Sequence, residues 1–278
     1  MSTLERKVAL PSGREMPTIG LGTWPMNDAE VRPVVANAIE IGYRLIDTAA
    51  RYGNERGVGE GIRGSGIDRT EIFITTKIRG ADHGASRSRQ AILASLERLG
   101  TTYLDMVLIH WPLPRLGLYI QSYETMLDLV REGLICSVGV SNFKPHHVAR
   151  LVQASAVVPA VNQIQMSVAL PRTESLSALQ AQGVHVQAWG PLGQRHALIG
   201  SPVVRSIAEV RGVTSAQVLL RWLIQRGVSA VPKSASENRQ RENLDIYDLV
   251  LTKCEIARLA GLACSESDAI DSDIHEEF

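Results

Sequence analysis

The sequence has no excess of charge of either sign. Its 278 residues carry 29 Lys and Arg against 29 Asp and Glu, a formal net charge of zero. That excludes a global basic field able to gather nucleic acid or an anionic membrane, and neither is expected as a partner. Cysteine is scarce. Cys136, Cys254 and Cys264 are the three in the chain, widely spaced and odd in number. Their spacing fits neither a disulfide framework nor a metal cluster, so reduced thiols in a cytoplasmic protein, with no bound metal, are expected. No apolar run approaches the ~20 residues of a membrane span. The stretch Met1 to Val8 is polar and charged, without the apolar segment of a secretory signal. No repeat, low-complexity tract or Pro/Ser-rich linker divides the chain. What is present is 45% hydrophobic and 21% charged residues, the composition of an ordinary soluble globular protein. One domain over residues 1–278 is the simplest organisation, with a hairpin at about 7–16 and a tail at about 264–278.

Short apolar runs alternate with longer amphipathic stretches, the pattern of β/α units around a parallel sheet. Eight strands are predicted, near Thr18–Gly22, Arg44–Thr48, Ile72–Lys77, Met106–His110, Ser137–Val140, Ala160–Ile164, His185–Trp189 and Val228–Pro232. Met106-Val107-Leu108-Ile109 is apolar throughout, as expected of a strand covered on both faces. Gln90 to Leu99 has helical spacing and stops at Gly100, a plausible C-cap. Thr214, with Gln217 three residues on, predicts a capped helix running to Arg226 and ended by Gly227. Val8 to Met16 reads as a hairpin around a Ser12-Gly13 turn. Glu266 to Phe278 reads as an acidic, irregular tail. Eight β/α units in about 250 residues fit a (β/α)8 barrel. The competing doubly wound sheet would carry G-x-G-x-x-G after its first strand. The nearest candidate, Gly57-Val58-Gly59-Glu60-Gly61, has the wrong spacing and lies in a helical stretch.

A barrel places its chemistry at the C-terminal ends of its strands. There the sequence brings Asp47, Lys77 and His110 from three adjacent strands, with Tyr52 just beyond the second. Any one of them alone is ordinary, a solvated rim residue or a hydrogen-bonded core histidine. Four at equivalent positions are harder to dismiss, and a buried Lys77 needs a carboxylate such as Asp47. Free tyrosine, at a pKa of about 10, is a poor proton donor near neutral pH. A close ammonium is expected to lower it. Tyr52 and His110 donating to one oxygen would polarise a carbonyl. With no nucleophile evident, the carbonyl carbon then needs an external hydride, which means a nicotinamide.

These residues fall in specific motifs: Gly20-Leu21-Gly22-Thr23-Trp24, Asp47-Thr48-Ala49 with Tyr52-Gly53-Asn54-Glu55, Leu108-Ile109-His110-Trp111-Pro112, Gly139-Val140-Ser141-Asn142-Phe143 and Val231-Pro232-Lys233-Ser234. In that order, over roughly residues 7–262, the chain resembles the aldo-keto reductase superfamily, particularly its prokaryotic 2,5-diketo-gluconate reductase-like members. The resemblance implies a (β/α)8 barrel closed at the bottom by the N-terminal hairpin. It implies NADPH-dependent reduction of aldehydes, ketones or reactive dicarbonyls, with Asp47, Tyr52, Lys77 and His110 as the catalytic tetrad and Tyr52 as general acid. It further implies that Ser141, Asn142 and Gln163 hold the nicotinamide carboxamide and that Trp189 stacks on the ring. Gly22, Thr23, Trp24, Gly190 and Leu192 would also contact the cofactor. Lys233, Ser234, Ser236, Arg239, Glu242 and Asn243 would surround its adenosine end. The planar fork of Arg239 suits a 2′-phosphate, which favours NADPH over NADH. Ser236 stands where some bacterial relatives carry a further Arg.

Trp24 and Trp111, with Tyr52 and His110, are expected to form the substrate pocket. Leu113, Leu116 and Leu118 would add apolar cover, and Ile274 and Phe278 of the tail would fold over it. A monomer is expected. Two other readings use the same residues. A barrel lyase would form a Schiff base on Lys77, but Asp47 argues for a charged lysine there. A non-catalytic nicotinamide-binding module would have no need of the complete tetrad.

Overall fold

A computed structural model describes residues 6–194 and 196–277. The chain opens with a hairpin of β1 (Lys7–Ala9) and β2 (Glu15–Pro17), antiparallel, with Val8 opposite Met16. Gly13 supplies the left-handed turn residue, at φ 79°. Eight parallel strands follow: β3 (Leu21–Gly22), β4 (Leu45–Asp47), β5 (Phe73–Ile78), β6 (Leu104–Ile109), β7 (Ile135–Ser141), β8 (Val161–Gln165), β9 (His185–Trp189) and β10 (Ser229–Ala230). Each pairs with its neighbour in the chain. The ring closes where Ile19 bridges Ala230 and Gly22 bridges Lys233, with the Ala230 N–H donating to Thr18 O at 2.8 Å. The predicted barrel and all eight strands are present. β3 and β10 are shorter than expected because pairing at the seam is reduced to isolated bridges.

Ten α-helices lie among the described residues: α1 (Asp28–Ile41), α2 (Glu55–Gly64), α3 (Ala85–Leu99), α4 (Tyr119–Arg131), α5 (Pro145–Ser155), α6 (Thr173–Ala181), α7 (Pro202–Arg211), α8 (Ser215–Ile224), α9 (Glu237–Leu244) and α10 (Lys253–Ala260). α3 ends on Gly100 in the left-handed conformation, as expected. Thr214 and Gln217 form the expected capping box of α8. That helix stops at Ile224 rather than Arg226, because its last turn tightens: the Arg226 N–H donates to Leu223 O, three residues back. No helix among the described residues is long and apolar enough to cross a membrane.

The alternation of side chains along a strand builds two cores. Inward residues Leu45, Phe73, Met106, Leu108, Val161 and Val231 fill the barrel, and Leu10 and Met16 of the hairpin plug its floor. Outward residues, among them Ile46, Ile74, Val107 and Ile109, pack under the helices. Met106-Val107-Leu108-Ile109 is continuous in sequence because both of its faces are covered. The glycines of α2 also gain an explanation. A Cβ on Gly57, Gly59 or Gly61 would collide with the backbone of Asp28, Leu99 or Arg32 respectively. They let α2 lie close against α1 and α3.

Candidate active site

Parallel register delivers the polar side chains to one end of the barrel. Asp47, the last residue of β4, pairs with Thr75 of β5, and Lys77 lies two residues on, on the same face. His110 follows β6 directly and ties its N–H to Ile78 O at 3.1 Å. Tyr52 sits on a one-turn 3-10 helix, Ala50–Tyr52, that ends on Gly53 at φ 67°. Asn54 fastens that turn. It accepts from the Thr48 hydroxyl at 2.7 Å and donates to Met26 O at 2.8 Å.

The four expected catalytic residues meet. Lys77 Nζ is fully buried and donates to Asp47 Oδ1 at 2.9 Å, Asp47 Oδ2 at 2.7 Å and Thr48 O at 3.0 Å. The Tyr52 hydroxyl lies 3.4 Å from the same ammonium. The His110 ring stands edge-on to Tyr52, 5.9 Å between centroids. Burial alone would lower the Lys77 ammonium, but Asp47 and then Tyr52 hold it above the usual lysine range, so it is charged.

The expectation for Tyr52 needs correcting in its net direction. Burial raises the phenol, Lys77 pulls it back, and Asp47 and Glu277 push it up again, so it lies above its ordinary value. The hydroxyl therefore keeps its proton throughout the neutral range.

Asp47, Tyr52 and His110 floor a cavity of about 600 Å³, larger than the two clefts of about 460 Å³ found elsewhere on the described residues. Gly22, Thr23, Trp24, Trp111, Ser141, Asn142, Gln163, Trp189, Gly190, Leu192 and Lys233 all line it. Asn142, at φ 62°, takes the left-handed turn that asparagine tolerates. Its side chain is already engaged: it donates to His110 O and Ser141 Oγ, both at 3.0 Å, and accepts from Trp189 Nε1 at 2.8 Å. Gln163 spends both amide hydrogens, on Asp47 Oδ1 at 2.8 Å and Gln187 Oε1 at 2.7 Å, which leaves its own oxygen as acceptor.

Five expected cofactor residues lie off this lining. Ser234 is buried and accepts from the Ser236 N–H at 3.2 Å. Asn243 is buried with its amide toward the Tyr43 hydroxyl. Ser236 and Arg239 are exposed and Glu242 is half-buried on the outer rim.

Around the mouth, Trp24 is 53% exposed and tilts over Tyr52, 5.3 Å between centroids. Leu113 is buried, but Leu116 is 42% exposed and offers little cover. Ile274 is 63% exposed, and the tail runs beside the mouth. Its contact is polar and aromatic: His275 stacks on Trp111 with centroids 4.0 Å apart, and Glu277 lies against His110. Phe278 lies outside the described residues.

Sequence reasoning missed Gln187 and Glu277. Gln187 had a signal, a polar residue inside the apolar strand Val186-Gln187-Ala188. Glu277 had none, being one acid among several in the tail.

A closed parallel barrel that carries a buried Lys–Asp pair, a tyrosine and a histidine at the C-terminal strand ends has the form of a (β/α)8 enzyme. Residues 18–263 match the Aldo/keto reductase family, and the chain belongs to it. It is 38% identical over 256 residues to the methylglyoxal reductase DkgA of Escherichia coli (strain K12), covering 92% of each chain. It is 37% identical over 271 residues to 2,5-diketo-D-gluconic acid reductase B of Corynebacterium sp. (strain SHS752001), covering 98% of each. Among solved structures, an aldo/keto reductase from Brucella melitensis superposes with a TM-score of 0.89 at 39% identity, over 92% of this chain and 98% of that one. A point mutant of Gox0644 in complex with NADPH gives 0.91 at 33% identity, over 97% and 98%.

Proposed function

We propose that the protein reduces small aldehydes, ketones or reactive dicarbonyls with NADPH, and that Tyr52 is the general acid. The observation that carries this reading is the convergence of the Tyr52 hydroxyl, the Asp47-paired Lys77 ammonium and the His110 ring at the cavity floor. The relatives named for methylglyoxal and diketogluconate reduction, and the neighbour crystallised with NADPH, support it.

The donor set fits a nicotinamide. The Gln163 oxygen is available to a carboxamide N–H, the Trp189 indole borders the cavity, and exposed Lys233 ends the lining where a phosphate is expected. When bound, the dinucleotide supplies a hydride to the carbonyl carbon. The chain supplies the rest. Tyr52 and His110 donate to the carbonyl oxygen, and Tyr52 gives up its proton as the alkoxide develops. Lys77 stabilises the phenolate left behind, and Asp47 holds Lys77 charged and in line. A charged Lys77 also disfavours the Schiff-base lyase, which needs a neutral amine. The same reading makes the protein a cytoplasmic monomer with one barrel domain over 1–278 and its three cysteines as free thiols. Size-exclusion chromatography checks the monomer.

The test follows absorbance at 340 nm with a panel of aldehydes, dicarbonyls and keto-sugars. Tyr52→Phe is expected to lower kcat by about 100- to 10,000-fold, the usual worth of a positioned proton donor, with NADPH affinity unchanged. Retention of most activity would remove Tyr52 as the acid. Borohydride trapping of substrate on Lys77 would replace the reductase by the lyase.

A further inference from the structure

The tail brings a carboxylate to His110. Residues 264–277 are irregular apart from one 3-10 turn, yet they are pinned at several points. The Ile270 N–H donates to Gln165 Oε1 at 3.2 Å, and Lys144 bridges Asp271 and Asp273. Past the His275–Trp111 stack, Glu277 is buried. Its Oε2 accepts the Gly80 N–H at 3.0 Å, and its Oε1 lies 2.6 Å from His110 Nδ1, off the line of a straight N–H···O bond. Gly80 leaves the room for this approach, since a Cβ there would collide with the Glu277 carbonyl.

Burial alone would raise the Glu277 carboxyl. The His110 contact, the Gly80 N–H and Arg51 together hold it below its usual range, so it is ionised at neutral pH. An ionised carboxylate only accepts, so its contact favours the ring form with the proton on Nδ1. Neutral imidazole has one N–H. With that proton on Nδ1, Nε2 is left toward the cavity as an acceptor.

We propose that Glu277 is a positioning residue that selects the His110 tautomer, so that His110 donates to the substrate oxygen only when its ring is doubly protonated. The proposal rests on the reading of His110 as a carbonyl donor given above. Doubly protonated, His110 joins Tyr52 in polarising a carbonyl, and reduction is favoured. Singly protonated, its Nε2 accepts from an alcohol O–H, and the reverse oxidation is favoured.

The groups facing the pair are Tyr52 with Lys77 and Asp47 behind it, Arg51, and His83 beside Asp82. On the tail itself, His275 lies on Trp111 and Glu276 pairs with Arg115. Burial holds His83 neutral, at about 4, and Tyr52 lies above its ordinary value. Neither His83 nor Tyr52 changes charge between about pH 6 and 9.

The test is Glu277→Gln in the full-length chain. The glutamine oxygen can keep the Gly80 N–H while its NH2 donates to Nδ1, which moves the ring proton to Nε2. Side-chain 15N spectra of the cofactor-free protein, assigned with His110→Asn, report which nitrogen carries the proton. The expected result is Nδ1–H in the wild type and Nε2–H in E277Q. In parallel, E277Q is expected to exceed the wild type in kcat/KM for reduction at alkaline pH, by up to about tenfold, because its Nε2–H donates without a second ring proton. A wild-type ring protonated on Nε2 at high pH overturns the proposal, and so does an E277Q variant that keeps the wild-type tautomer. If E277Q does not fold, the wild-type spectrum decides alone. Failure of the reductase reading would look different: no turnover at any pH, with the tautomer change intact.

Discussion

Asp47→Asn tests the electrostatic logic of the site through stability. The Asp47 carboxylate accepts three bonds, two from Lys77 at 2.9 and 2.7 Å and one from Gln163 Nε2 at 2.8 Å. Asparagine offers one oxygen and an NH2, so at least one of those donors meets an N–H. The Lys77 ammonium, with no exposed side-chain surface, also loses its counter-charge. Removing one partner of a buried pair costs about 3–5 kcal/mol. A ceiling on the part due to the unpaired ammonium comes from titration. A lysine of ordinary pKa about 10.4 can escape by losing its proton at pH 7, which costs about 1.36 kcal/mol for each of about 3.4 pH units, or about 4.6 kcal/mol. The expected loss at pH 7 is therefore about 3–5 kcal/mol.

The sign with pH follows. In the wild type the raised Lys77 stabilises the fold below its unfolded pKa, and that contribution is lost only as pH rises through the folded value. In D47N the folded lysine is depressed, so the unfolded chain binds more protons and the penalty shrinks from pH 7 towards 10. Urea unfolding at several pH values measures both, and adding Lys77→Met to D47N should recover part of the loss. A cost under about 1 kcal/mol, or one independent of pH, would refute the buried charged pair.

Other outcomes follow from single contacts. Gly59→Ala should destabilise by about 1–3 kcal/mol, because its Cβ meets the Leu99 carbonyl, and thermal melts should show it. Lys233→Ala should raise the Kd for NADPH more than that for NADH, and equal losses by fluorescence titration would remove Lys233 from a 2′-phosphate site. The Arg211 fork, with Oε1 and Oε2 each at 2.7 Å, holds the Glu255 carboxyl down at about 2. Its stabilisation is present above the unfolded value and is lost as pH falls from about 4.5 towards about 2. Glu255→Gln should thus be less stable than wild type at neutral pH, and the gap should close in acid-unfolding curves.

Much of the site was legible because strand polarity and period are local properties. An apolar run ending in Asp47, Lys77 or His110 states which end of which strand each residue occupies, and the barrel brings those ends together. The ends of elements were less legible. α8 stopping at Ile224, and β3 and β10 shrinking to short pairs, depend on how the last turn and the barrel seam hydrogen-bond. The direction of the Tyr52 shift was misread because a nearby ammonium is visible in sequence, whereas the depth of burial that outweighs it is not.

The sequence by itself determined the eight β/α units, the hairpin and the four side chains at the strand ends, since each is set by residue periodicity within a short window. Only the tertiary structure decided that the glycines of α2 serve helix contacts and that Gln163 is spent on Asp47 and Gln187. It also decided that the cavity lining ends at Lys233, the first of the expected adenosine-end residues, and that Glu277 reaches His110 across 166 intervening positions in the chain. Those contacts join residues far apart in sequence. They are fixed by how packed elements approach one another and by where burial leaves a charge needing a partner, and no local pattern encodes either.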